Sequence, residues 1–163
     1  MARPRFTPPQ PRRKPYRGPN PVMAAVAIEQ QRQLNLDLGV LVALADDGQE
    51  HRELLANLAA IIGIGAEIAA HVNKGHPEAR RLHGTLRTIT QMALDGCRWR
   101  KANALVIAED LEAAHQLAQD YPQIGLAAAP ACQALCQDIL NDRLNPDAIA
   151  GAEIYRETEG ATA

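Results

Sequence analysis

At 163 residues and a formal net charge of −2, the chain has room for one domain with a real core but not comfortably for two. Hydrophobic residues make up 47 % of it and aromatics only 3 %, with alanine abundant, which disfavours a β-sandwich and makes all-α the expected class. Serine is absent throughout, which excludes serine nucleophiles and their triads, and three cysteines form no secreted disulfide framework.

The first 21 residues hold seven of the eleven prolines together with Arg3, Arg5, Arg12, Arg13, Lys14 and Arg17. No acid precedes Glu29, so this stretch carries +6 and the remainder carries −8. Proline fixes φ, removes a backbone donor and pushes its predecessor toward extended geometry, so residues 1–21 are expected to be a disordered or polyproline-like cationic arm. Such an arm on an acidic body suits a tail that reaches for a negative partner. The apolar stretch that follows, residues 22–28, is only about seven residues, is preceded by seven prolines and lacks a clear cleavage site, which disfavours a signal peptide. No apolar run reaches the roughly 18–20 residues that a membrane span needs. With an odd cysteine count, these features place the chain in a reducing, cytoplasmic setting without membrane attachment.

Residues 22–45 satisfy two periods at once. Leu34, Leu36, Leu38, Val40, Val42 and Leu44 alternate as in a half-buried strand, while Val26, Leu34, Leu38, Leu41 and Ala45 recur near 3.6. Helix is favoured, because no second alternating run offers the strand a partner. Asp47 and Glu50 have the spacing of a capping box for the next helix. That helix places Leu54, Leu58, Ile61, Ile62, Ile68, Ala69 and Val72 on a stripe that Leu55 and Ile64 widen until it runs almost all round, as in a buried central helix. Gly63 and Gly65 each cost about 0.8–1.0 kcal/mol there relative to alanine, an expense that close approach of a neighbouring backbone would offset. The same small-residue surface could equally form a homodimer seam.

Gly75 is the natural stop of that helix and Pro77 the natural start of the next, whose inner face is Leu82, Leu86, Ile89 and Ala93. It frays near Gly96 into a basic joint, Arg98, Trp99, Arg100 and Lys101. Ala104, Ile107, Leu111, Ala114 and Ala118 then define a fourth stripe, with Glu109, Asp110 and Glu112 expected to face away, and Pro122 closes it. Pro130 is expected to open a fifth helix with Cys132, Leu135, Cys136 and Ile139 inward. Asn145, Pro146 and Asp147 read as the cap and first turn of a short last helix to about Arg156. Short connections imply antiparallel neighbours, hence an up-and-down bundle of about five helices spanning residues 22–157, with a polar tail at 158–163.

The chemistry on offer is sparse. Cys132 and Cys136 share a helix face, but no further pair completes a metal set, so they read as core, and no cofactor is expected. His76 and His83 sit near a helix start and are expected to face water. Glu67 lies within the most apolar helix, where a carboxylate is either an acid–base group or a residue at the outer seam. Trp99 amid Arg98, Arg100 and Lys101, with Arg80, Arg81 and Arg87 on the preceding helix, matches what single-strand recognition uses, provided the indole is exposed to stack on a base. The alternative is that Trp99 plugs the end of the bundle while the cations reach into solvent.

The basic lead RKPYRGPNPV, followed by HRELLANLAAIIGIGAEIA, RRLHGTLRTITQMALDGCRW and AEDLEAAHQLAQD, resembles a group of small phage and prophage proteins of proteobacteria that begin with a K-x-Y-R-P-x-P-V-like element. Here that element is Lys14, Tyr16, Arg17, Pro19 and Pro21-Val22, with Gly18 where the group has proline. The resemblance implies a phage or mobile-element setting and brings no catalytic residue. Together with the composition it leads to the expectation of a non-enzymatic accessory protein that binds and modulates or inhibits a host protein. The competing expectation is a nucleic-acid binder using the arm and the Trp99 cluster, and a metal-dependent hydrolase built on Glu67 or on Cys132 and Cys136 comes third.

Overall fold

A computed structural model describes residues 21–72 and 77–146, with side chains described at residue 30 and from residue 32 onward. The expected arm, the stop at Gly75, the last helix beyond Pro146 and the polar tail all lie outside the described residues. Among the described residues the fold is all-α, a bundle of five helices: α1 Pro21–Leu44, α2 Arg52–Val72, α3 Pro77–Leu94, α4 Ala104–Asp120 and α5 Pro122–Leu140. A 3-10 turn, Lys101–Asn103, leads into α4.

The axis of the bundle is α2. Eleven of its residues are buried, from Leu54 to Ala69, because α5, α3 and α4 pack around it while α1 leans mainly on α4. α2 runs antiparallel to both α3 and α5: Glu67 near its end meets His83 near the start of α3, Ile68 meets Gly125 near the start of α5, and Arg52 at its start reaches Ile139 at the end of α5. By length and composition α2 could also cross a membrane, but more than half of that span is buried within the bundle. It owes its hydropathy to being the element that others cover on every side.

The two glycines of α2 pack as the sequence suggests. A Cβ added at Gly65 would stand 2.5 Å from the Ala114 Cβ and 2.7 Å from its Cα, so α2 and α4 meet backbone to backbone. At Gly63 the neighbour is the Cys132 Sγ, 3.1 Å from such a Cβ. Both glycine surfaces are therefore filled by helices of the same chain, and the close approach that the glycines allow is made within the bundle.

Three further expectations are corrected. The capping box does not form: α2 starts at Arg52, the Asp47 carboxylate accepts instead from the Lys101 backbone N–H at 2.9 Å, and Glu50 pairs with Arg52 at 3.3 Å. The fifth helix begins at Pro122 rather than Pro130, which lies exposed inside it. An interior proline costs about 3 kcal/mol, and packing on α2, including Gly125 against Ile64 and Ile68, holds the helix through it. Asp110 does not face away: it is 1 % exposed, between α4 and α3.

Candidate functional site

The basic joint folds back on the loop after α1. Gly48 N–H donates to the Trp99 carbonyl at 2.8 Å, Trp99 N–H to the Gln49 carbonyl at 2.8 Å, and His51 N–H to the Cys97 carbonyl at 2.9 Å. These bonds make a short antiparallel clasp around the bridge between Glu50 and Arg98. Gly48, Gly96 and Cys97 reach positive φ to turn the chain into and out of it, at 76°, 82° and 56°. The clasp draws Trp99 inward until its side chain is fully buried, with no acceptor for its Nε1 among the described residues. The expectation of an indole available for base stacking is thus overturned, and the plug holds.

Arg98, Arg100 and Lys101 stay exposed around that plug. Arg98 donates to the Gly48 carbonyl at 3.1 Å and Arg100 to the Asp95 carboxylate at 2.6 Å. Arg3, Arg5, Arg12, Arg13, Lys14 and Arg17 lie outside the described residues.

Asp110, Arg81, His83 and Glu67 are engaged between helices. Asp110 Oδ2 accepts from the Thr85 hydroxyl at 2.5 Å, and Arg81 Nε stands 2.7 Å from Oδ1 as an ion pair rather than an aligned hydrogen bond. Arg81 in turn lies 3.7 Å from Glu78. His83 does not face water: it is half-buried, its Nδ1–H donates to the Ala79 carbonyl at 2.9 Å, and its Nε2 faces Glu67 at 3.8 Å. Glu67 is accordingly a seam residue between α2 and α3. Burial pushes the Cys97 thiol up, against the pull of the Arg52 guanidinium, and pushes the Cys136 thiol up as well. Among the described residues no three of His, Cys, Asp and Glu gather as a metal set.

What stands out instead is α1. Residues two apart on a helix lie about 200° apart, so an alternating apolar pattern paints two opposite stripes. One of them, built on Leu38, Val42 and Ala45, is buried in the bundle. The other, Leu36, Val40 and Leu44, is 57 %, 55 % and 72 % exposed, and Leu41 beside it is half exposed. At its C-terminal end the outer stripe borders a hollow of about 530 Å³, lined by Leu41, Leu44, Ala45 and Leu54 with Glu50, His51, Arg52 and Glu53. Arg52 is anchored at its mouth, donating to the Ile139 carbonyl at 3.0 Å. Sequence reasoning set the alternation aside as the mark of a strand, and so missed the surface it encodes. Compared with known protein families, curated proteins and solved structures, the chain matches none.

Proposed function

We propose that this chain is a non-enzymatic accessory protein that binds another protein, with the outer stripe of α1 and the adjoining hollow as its docking surface. The observation that carries this reading is the stripe itself: three large aliphatic residues at i, i+4 and i+8 stand in solvent on a helix whose opposite stripe is fully packed. The commitment of Asp110 to Thr85 and Arg81, and of Glu67 to His83, supports a binding rather than a catalytic role. By the resemblance of its N-terminal element, the setting would be phage-encoded and the partner a factor in the host cytoplasm, which the protein modulates or inhibits. Three exposed cations, Arg98, Arg100 and Lys101, favour the second reading, nucleic-acid binding, now without help from Trp99.

A pull-down from host lysate, with and without nuclease, separates the two. A polypeptide retained after nuclease treatment and lost with Leu44→Lys supports the docking surface. Retention that vanishes with nuclease moves the assignment to nucleic acid.

A further inference from the structure

We propose that the outer stripe of α1 is the seam of a homodimer, occupied by the same stripe of a second copy. This rests on the reading of α1 as a docking surface and names its occupant.

Three features point to a second copy. The first is geometry. Leu36, Val40 and Leu44 form a ridge of the i±4n kind, and the commonest helix packing interdigitates two such ridges at about −50°. A second copy supplies the matching ridge by symmetry, as an isologous contact requires. The second is area. The exposed parts of Leu36, Val40, Leu41 and Leu44 amount to roughly 400 Å². A stable interface takes about 800 Å² from each partner and is about 65 % apolar in homodimers, so this stripe supplies most of the apolar share. The hollow beyond Leu44 leaves room for a protruding side chain.

The third is charge. Residues 38–45 are uncharged, and Asp37 is the only charged residue from 33 to 45. A two-fold axis near Val40 sets Asp37 of an antiparallel pair against the second copy's Leu44 end, away from its like. A lipid surface fits worse, because Asp46, Asp47, Glu50 and Glu53 crowd the end of the stripe and anionic headgroups repel them.

Because the chain enters α1 at Pro21, an antiparallel pairing about Val40 carries the two N-terminal segments to opposite ends of the dimer. Their attachment points would be roughly 55 Å apart, an arrangement suited to bivalent contact.

Sedimentation equilibrium of the full chain between about 1 and 100 µM tests the proposal, since interfaces of this size hold at micromolar concentration or tighter. The expected mass is twice 17.6 kDa in the upper part of that range. Val40→Lys and Leu44→Lys are expected to give monomers with unchanged helicity, since both positions are exposed and lysine suits a helix. Leu126→Lys, an equally exposed leucine on α5, is expected to leave the dimer intact. A wild-type chain that stays monomeric throughout overturns the homodimer, as does a dimer that survives Leu44→Lys. A monomer that dimerises only after removal of residues 1–20 or 147–163 overturns it in favour of a segment of the same chain. If the wild type is monomeric while Leu44→Lys still abolishes the nuclease-resistant pull-down, the homodimer falls and the docking surface stands; if neither readout responds, both fall.

Discussion

Replacing Gly65 by alanine sets two effects against each other at one atom. Helix propensity favours the change by about 0.8–1.0 kcal/mol. The added methyl, however, would meet the Ala114 Cβ at 2.5 Å and its Cα at 2.7 Å, where carbon atoms prefer about 3.5–4.0 Å. Because one of those atoms is backbone, relief requires α2 and α4 to part by about 1 Å along a packed seam, and overpacking of this kind costs about 1–3 kcal/mol. With two contacts below 3 Å, one of them to backbone, the cost falls in the upper part of that range, about 2–3 kcal/mol, so the expected net result is a loss of about 1–2 kcal/mol, or about 3–6 °C in Tm. Gly63→Ala is the internal control. There the obstacle is the Cys132 thiol at 3.1 Å, a side-chain tip that can give by a few tenths of an ångström, so propensity prevails and stability is unchanged or slightly higher. Urea unfolding followed by far-UV circular dichroism measures both. Ala114→Gly should not rescue Gly65→Ala, because the clash with the backbone at position 114 persists without its methyl. A Gly65→Ala protein as stable as wild type, or one rescued by Ala114→Gly, would refute this backbone-to-backbone argument.

Thr85→Val keeps the shape of the side chain but leaves the buried Asp110 carboxylate without its hydroxyl donor, and should cost about 1.5–3 kcal/mol in urea unfolding. Arg81→Gln should cost about 1 kcal/mol or less, since Arg81 is half exposed and its pairing is screened. Trp99 fluorescence should be blue-shifted, resist acrylamide and ignore added oligonucleotides; a red-shifted emission quenched by single-stranded DNA would restore the stacking reading. Burial raises the Cys97 and Cys136 thiols, so above about pH 8.5 the unfolded chain loses protons that the folded chain keeps. The thiols' contribution to stability should therefore be constant below that pH and fall as pH rises through it, with a shallower fall in Cys97→Ala.

Legibility followed how local each cause was. The central helix and its glycines could be read because α2 is covered on nearly every side, so its pattern reports burial directly. Pro77 at the start of α3 was readable for a similarly local reason, its missing donor being harmless there. Asp110 was misread because its polar type argued for solvent, while the reason for its burial is a threonine 25 positions away on another helix. Pro130 was misread because propensity is local and the packing that overrides it lies on α2. The Asp47–Glu50 spacing matched a capping box, but both residues were taken by partners close to or beyond the loop, Arg52 and Lys101. In α1 the favoured helix forms and the alternation was genuine; what went unread is that on a helix it means two stripes rather than one strand face.

The clasp between residues 48–51 and 97–101 has a further consequence. Its bonds at residues 97, 99 and 101 are made by main-chain groups, and only the Arg98 bond to Gly48 and the Arg100 bond to Asp95 draw on a cationic side chain, both at the solvent edge. The fold thus demands a backbone path and one buried indole at this corner, and asks almost nothing of the three positive charges around it. Neutralising Arg98, Arg100 and Lys101 together should leave the bundle standing. That makes the corner a place where recognition can be changed independently of folding, one substitution at a time.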